Sequence, residues 1–422
     1  MNTTISYREH FCYYYTQKLR EEQFALTEET DYHYSEAIQH LACDQLDDAM
    51  EHFIACDPDN FTAKFFIALI SLNLAEPEST HLVEEISFMK HLAECNYPDA
   101  MYILGYYYMS DDCPEKNLEQ STEWLKRAAQ AGHPQGMYEY GYSLDTGRGI
   151  SQDPEEAFLW YQKAADAEVA PAQYEVGMRL LNEENTPQNL HEAACYLAYA
   201  AEKDHPDALA ELAQLYLHGK GVLQDERKAY HLCEKSFKLG SAKGAFGLSF
   251  FYGMGQVVNS DTITAVWLLK KARPAMNAEA DAQIAKNIMV LKHFPDGEYN
   301  YYGLTMLAWL NLSGLIDNEH APDPLGMLRT AASQGNMLAK CLLHRYFPTQ
   351  DIPEAATSEE CASFFFEESQ KGELWAAREL CYMILQNEVQ VSPQMSYRMI
   401  NHAIKLGDLI LENELNNIEM HL

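Results

Sequence analysis

The sequence predicts an all-α chain built as a right-handed αα-solenoid. Two observations carry this: motifs return at a fixed period, and apolar residues are spaced as helices space them wherever a pattern is legible. Almost no β-structure is expected. In "GRGISQDPEEA", Gly147, Gly149, Asp153 and Ala157 return as Gly219, Gly221, Asp225 and Ala229 of "GKGVLQDERKA", 72 positions on. Small pairs at Ala128-Ala129, Ala164-Ala165 and Ala200-Ala201, echoed at Ser236 and Ala272, step by half that distance, 36 residues. Trp124, Trp160, Tyr196, Leu232 and Leu268 stand four positions ahead of these, and Gly105, Gly141 and Gly177 mark the other half of the unit.

Two glycines ahead of a proline could cradle a phosphate at a helix N-terminus. Against that, the frame is set five times, and the strand that must precede a phosphate loop is replaced by "YEYGYSLDT", which reads as helix. The double glycine is therefore the turn between two helices of a repeat. Asp153 and Asp225 are the expected N-caps, Pro154 suits the first helical position, and Glu155 suits the positive end of the helix dipole.

The unit from Pro134 to Ala170 shows the design. Its first half, "PQGMYEYGYSL", aligns Met137, Tyr140, Gly141 and Leu144 on one face, with glycine where a neighbouring helix approaches. Its second half, "DPEEAFLWYQKAADA", aligns Ala157, Trp160, Tyr161, Ala164 and Ala165, so Trp160 is expected in the core. Neither helix buries its stripe alone, and stacking unit on unit does.

The pattern small-x-x-x-L-G-x-x-Y-x-x-G-x-G-V…D-x-x-K-A…W-x-x-K-A-A-x-x-G resembles the Sel1-like repeat, a relative of the tetratricopeptide repeat. "ALAELAQLYLHGKGVLQDERKA" from Ala208 and "GRGISQDPEEAFLWYQKAADA" from Gly147 carry it best. The resemblance implies an αα-solenoid that serves as a scaffold or adaptor for other proteins. It leads to three expected regions: tetratricopeptide-like helices and a cap over 1–97, five Sel1-like repeats over 98–273, and divergent helical repeats with a C-terminal cap over 274–422. In the first region, "DDAMEHFIACDPDNFTAKFFIALISL" from Asp47 looks like the end of one plain unit and the start of the next. In the last, Gly335, Gly372 and Gly407 each close a helix, and "NAEADAQIAKNIMVLKHFPDGEYN" is expected to form an irregular joint.

The 422-residue chain has 63 acidic against 30 basic side chains, a formal charge of -33. That argues against nucleic acid or an anionic membrane as the main partner, and is compatible with a basic protein partner or with solubility alone. The N-terminal stretch lacks an apolar core and interrupts itself with Arg8, Lys18 and Arg20, and no run reaches the ~18 apolar residues of a membrane span. A cytoplasmic protein is expected. The 10 cysteines follow no pairing with the repeat, and they read as core fillers in a reducing compartment.

Two motifs touch catalytic chemistry. "HEAAC" from His191 is one residue short of a zinc motif, with Cys195 in place of the second histidine; Cys195 also falls within the repeat frame, which favours packing. Ser87 and Lys90 of "SFMK" have the spacing of a serine–lysine pair but lack its companion motifs. His133 and His205, at repeat ends before proline, are expected to satisfy helix C-termini. No metal or cofactor is expected.

If the first helix of each unit lines the concave face, as the resemblance implies, two rows run along it. Tyr102, Tyr138 and Tyr174 lie three residues before the pivot glycine, and Tyr106, Tyr142 and Met178 one after. These are either anchors for a protein partner or inter-repeat packing with only the hydroxyls wet. The expected function is a non-catalytic interaction scaffold. Its alternatives are an immunity or antitoxin-type protein that neutralises a basic toxin, or a hydrolase built on Ser87 and Lys90 or on zinc at His191 and Cys195. Partner, pathway and oligomeric state are not legible.

Overall fold

The computed structural model describes residues 32–42, 45–56, 60–74, 80–111, 113, 115–183, 186–255, 257–292, 298–317, 319, 321–350, 352–386, 388–389, 398–403 and 410. These residues contain no strand. The chain forms two compact units, Met1–Asn185 and Thr186–Leu422. Unit 1 holds α1 (Tyr32–Ala42), α2 (Leu46–Ile54), α3 (Phe61–Leu74), α4 (Thr80–Glu94), α5 (Pro98–Met109), α6 (Leu118–Gln130), α7 (Pro134–Thr146), α8 (Pro154–Asp166) and α9 (Ala170–Asn182). Unit 2 begins with α10 (Pro187–Glu202), α11 (Pro206–His218), α12 (Glu226–Lys238), α13 (Ala242–Met254) and α14 (Thr262–Ala272). It continues with α15 (Asn277–Lys292), α16 (Glu298–Leu312), α17 (Pro324–Ser333), α18 (Met337–Tyr346), α19 (Ser358–Gln370) and α20 (Leu374–Leu385). Within each unit every helix packs against its sequence neighbours, the contact pattern of an αα-solenoid.

Short polar side chains start the helices where the repeat places them. Asp153 accepts from the Glu156 N–H and Asp225 from the Lys228 N–H, while Asn117 and Asp261 hold the same register one repeat before and after. The third unit lacks the double glycine; its cap moves forward to Thr186, and α10 runs 16 residues where α8 runs 13. At the turn, Gly147 and Gly219 take left-handed C-cap positions with φ of 72° and 64°.

The histidines expected at helix C-termini belong instead to the following helix. His133 Nδ1 accepts from the Gly136 N–H at 3.0 Å and His205 Nδ1 from the Ala208 N–H at 3.2 Å, so both are N-caps. The extended backbone ahead of Pro134 and Pro206 aims Nδ1 of each imidazole at the open N–H groups of the following helix, and in His133 it leaves Nε2 3.5 Å from Asp99 Oδ1. Burial holds the His205 imidazole below the ordinary histidine value of 6.5. The unfolded chain therefore takes up the proton first: stability is complete above that value and is lost as pH falls through the lower folded value. The urea midpoint should drop on acidification from about pH 7.5 to 5.5, with a smaller drop in His205→Asn, which keeps an acceptor but cannot titrate.

The alanine pairs form the buried seam as expected, together with Ser236 and Ala272. The tryptophans do not sit there. Trp124 and Trp160 are half-buried, covered on one face by Arg127 at 4.3 Å and Lys163 at 3.8 Å. The stripe set by Ala157, Ala164 and Ala165 passes through Tyr161, and it leaves Trp160 on its edge, where an amphipathic ring can meet a cationic stem. The expected irregular joint is likewise helical where it is described: α15 buries Ala280, Ile288 and Leu291 on one face, and residues 293–297 lie outside the described residues. Gly335 and Gly372 follow helices at φ of 90° and 89°, whereas Gly407 lies outside the described residues.

Of the cysteines described, Cys56, Cys113, Cys233, Cys341, Cys361 and Cys381 are buried, Cys195 is intermediate and Cys95 is exposed; all are free thiols. Cys12 and Cys43 lie outside the described residues. No helix among the described residues is long and apolar enough to cross a membrane.

Candidate protein-binding face

The first helices of the repeats in unit 1 are α5, α7 and α9, and a four-residue step places the two rows on one face of each. The structure pairs the rings within two of these helices. Tyr102 and Tyr106 meet edge to face at 5.2 Å, and Tyr138 and Tyr142 lie tilted at 6.4 Å. Tyr102 is only 2% exposed and stacks on His133 at 4.5 Å, so its ring is core packing. Tyr106, Tyr138, Tyr142, Tyr174 and Met178 are all half-buried.

Charged groups run between the rings. The Tyr106 hydroxyl donates to Glu139 Oε1 at 2.6 Å, tying α5 to α7. Burial pushes the Tyr106 hydroxyl well above its ordinary range and raises the Glu139 carboxyl, while the Tyr106 hydrogen bond and the Arg148 charge pull Glu139 back down. Arg148 also covers the Tyr142 ring at 5.2 Å. Burial raises the Tyr138 hydroxyl, so this phenol too stays protonated and able to donate near neutrality. At the third rung, Met178 lines a cavity of about 130 Å³ with Asp145, Phe158, Tyr161, Glu175 and Arg179.

Sequence reasoning named none of the acidic members of this face. Glu139, Glu175 and Glu211 recur at the same 36-residue step as the tyrosines, a signal that was readable but is easily lost among so many acidic residues. Glu211 pairs with Lys243 within unit 2.

Neither catalytic candidate is assembled as its chemistry requires. Ser87 is exposed on α4, and Lys90 lies over the Tyr108 ring at 5.5 Å. A hydrogen bond to Tyr108 raises the Lys90 ammonium, the opposite of what a lysine base needs. His191 Nε2 is 3.9 Å from Cys195 Sγ, with Nδ1 against the Gly221 carbonyl at 3.1 Å. Among the described residues no three His, Cys, Asp or Glu side chains are grouped to hold a metal ion.

A family model described as the Sel1 repeat matches residues 98–133, 134–169, 170–205, 206–241 and 242–273. Residues 98–273 are thus five Sel1 repeats in tandem. The fold of the chain resembles that of c5321, a protective antigen present in uropathogenic Escherichia coli strains and displaying an SLR fold, with 18% identity and a TM-score of 0.50 over 96% of this chain and 90% of that one. A Sel1 repeat protein from Oxalobacter formigenes is 21% identical over 61% of this chain and 94% of that one, with a TM-score of 0.42. The immunity protein Pa5087 from Pseudomonas aeruginosa is 17% identical over 61% and 86%, with a TM-score of 0.31. No curated protein matches the sequence significantly. The third of these repeats, 170–205, is divided between the two compact units.

Proposed function

We propose that this chain, with its five Sel1 repeats, is a non-catalytic scaffold that holds a protein partner against α5, α7 and α9. The observation that supports it is the set of half-buried rings Tyr106, Tyr138 and Tyr142, repeated at 36 residues and interleaved with Glu139, Arg148 and Glu175. Rigid amphipathic rings give contact area at low entropic cost. The formal charge of -33 favours a basic partner, whose encounter the field would accelerate.

The test begins with affinity capture from the native host and a binding measurement on the partner recovered. Tyr142→Ala should weaken binding by about 30-fold, the equivalent of a ~2 kcal/mol hot spot, and shift stability by no more than ~1 kcal/mol. Tyr102→Ala should do the reverse, because that ring is core. Equal loss of stability in both variants with unchanged affinity would show the rows to be packing between repeats.

A further inference from the structure

The hairpin of α1 and α2 brings three of the chain's 16 histidines together. His33 and His40 stand two turns apart on α1, and Asp48 and His52 one turn apart on α2, so each pair shares a stripe of its helix. Packing does not require imidazoles there. The hairpin core is apolar, with Tyr34, Ala37, Ile38, Leu41, Ala49 and Phe53 buried and Tyr34 meeting Phe53 edge to face at 5.9 Å. The three imidazoles are only half-buried.

Two of these rings converge through the same atom. His33 Nδ1 lies 3.4 Å from His52 Nδ1, with the ring planes tilted by 39°. As a hydrogen bond that is a long contact, since a good N–H donor stands about 2.7–3.2 Å from its acceptor. It is the separation of two ligands on one metal ion: nitrogens about 2.0–2.1 Å from a tetrahedral zinc stand about 3.3–3.4 Å from each other. His40 sets the His52 plane, because its ring stacks on that of His52 at 5.2 Å and 14° while its own Nδ1 meets Gln45 Oε1 at 3.0 Å. Asp48 Oδ2, 3.9 Å from His40 Nδ1, adds a carboxylate to the cluster.

We propose that His33 and His52 form a two-histidine site for a divalent transition-metal ion of tetrahedral preference, zinc above all, bridging α1 and α2. Each imidazole ligates through the Nδ1 lone pair and carries its proton on Nε2. Among the described residues no three His, Cys, Asp or Glu side chains are grouped to hold a metal ion, so water completes the tetrahedron. Imidazole suits zinc, nickel and copper, whereas magnesium and calcium take oxygen ligands, so the pair selects by ligand chemistry.

Isothermal titration of ZnCl2 into the full chain tests the site. The background carries Cys95→Ser and His191→Ala, which break up the His91–Cys95 and His191–Cys195 pairs, with donors 4.0 and 3.9 Å apart. One saturable zinc site is expected, and MgCl2 at the same concentrations should give none. His33→Asn and His52→Asn each put an amide where Nδ1 stood. The exchange keeps a hydrogen-bonding group between the helices and removes the imidazole ligand, so each should weaken zinc binding by at least about tenfold. Zinc should also raise the melting temperature of the parent chain, and the rise should shrink in both variants at the same zinc concentration. The variants lie on different helices, so circular dichroism that shows one of them misfolded leaves the other to decide. No zinc binding by the parent chain, an equal response to magnesium, or undiminished binding in a folded asparagine variant would each overturn the site.

Discussion

Arg378→Ala is expected to lower the stability of unit 2 by about 3–5 kcal/mol, the cost of breaking a buried ion pair from one side. Arg378 is 2% exposed; its Nη2 donates to Asp261 Oδ2 at 2.6 Å and its Nη1 to Thr264 Oγ1 at 3.2 Å. Asp261 is equally buried and also accepts from the N–H groups of Ile263 and Thr264, so one carboxylate caps α14 and clamps α20. Removing the guanidinium leaves that carboxylate charged and dry. Arg378→Lys should not rescue it, because a single ammonium cannot span Asp261 and Thr264 as the fork does. Arg378→Leu combined with Asp261→Ser, which keeps a cap without a charge, should recover part of the loss. Urea unfolding followed by circular dichroism measures each variant; a shift of Arg378→Ala below ~1 kcal/mol would show that water reaches the pair.

Gly149→Val should destabilise unit 1 by about 2–4 kcal/mol. The residue holds a φ of 66°, and a β carbon there would run into the Leu118 carbonyl oxygen at the start of α6. The turn cannot swing away, because Thr122 donates its hydroxyl to the Arg148 carbonyl at 2.7 Å. Left-handed strain of ~1–2 kcal/mol therefore adds to a clash against backbone. Gly147 in the same turn provides the contrast. At φ of 72° its nearest neighbour, Gln152 Cβ, lies 3.5 Å from where a β carbon would sit, so Gly147→Asn should cost well under ~1 kcal/mol. Thermal melts of both variants decide it. A similar loss in the two would mean that backbone conformation alone governs the turn.

The candidate face was legible in outline and not in depth. The 36-residue step located both aromatic rows, since ring positions follow from helical geometry once the pivot glycine is known. It did not reveal that Tyr102 would be stacked under His133 while Tyr142 kept a half-open face, nor that Glu139 would take the Tyr106 hydroxyl. Those outcomes depend on which neighbour reaches each ring, and neighbours in the next repeat vary from copy to copy.

By itself the sequence determined what local physics controls. Asp153 and Asp225 were bound to cap helices, because a short carboxylate ahead of a helix finds open N–H groups at once. Gly147, Gly149, Gly219 and Gly221 were bound to turn left-handed, and the alanine pairs to form the seam, since only small side chains let two helices approach so closely. Tertiary structure decided everything in which competing faces had to be weighed against one another. It placed Tyr161 inside and Trp160 at the edge, although the two are adjacent on one helix and both are large. It turned His133 and His205 toward the helix that follows. It also brought Arg378 to Asp261 across 117 positions of sequence within unit 2, and Asn259 to the Gly372 carbonyl at 2.6 Å. A repeat period describes contacts between neighbours, and no period encodes the meeting of two helices six apart in the chain. That contact arises only when the intervening helices have stacked and the desolvated charges find each other.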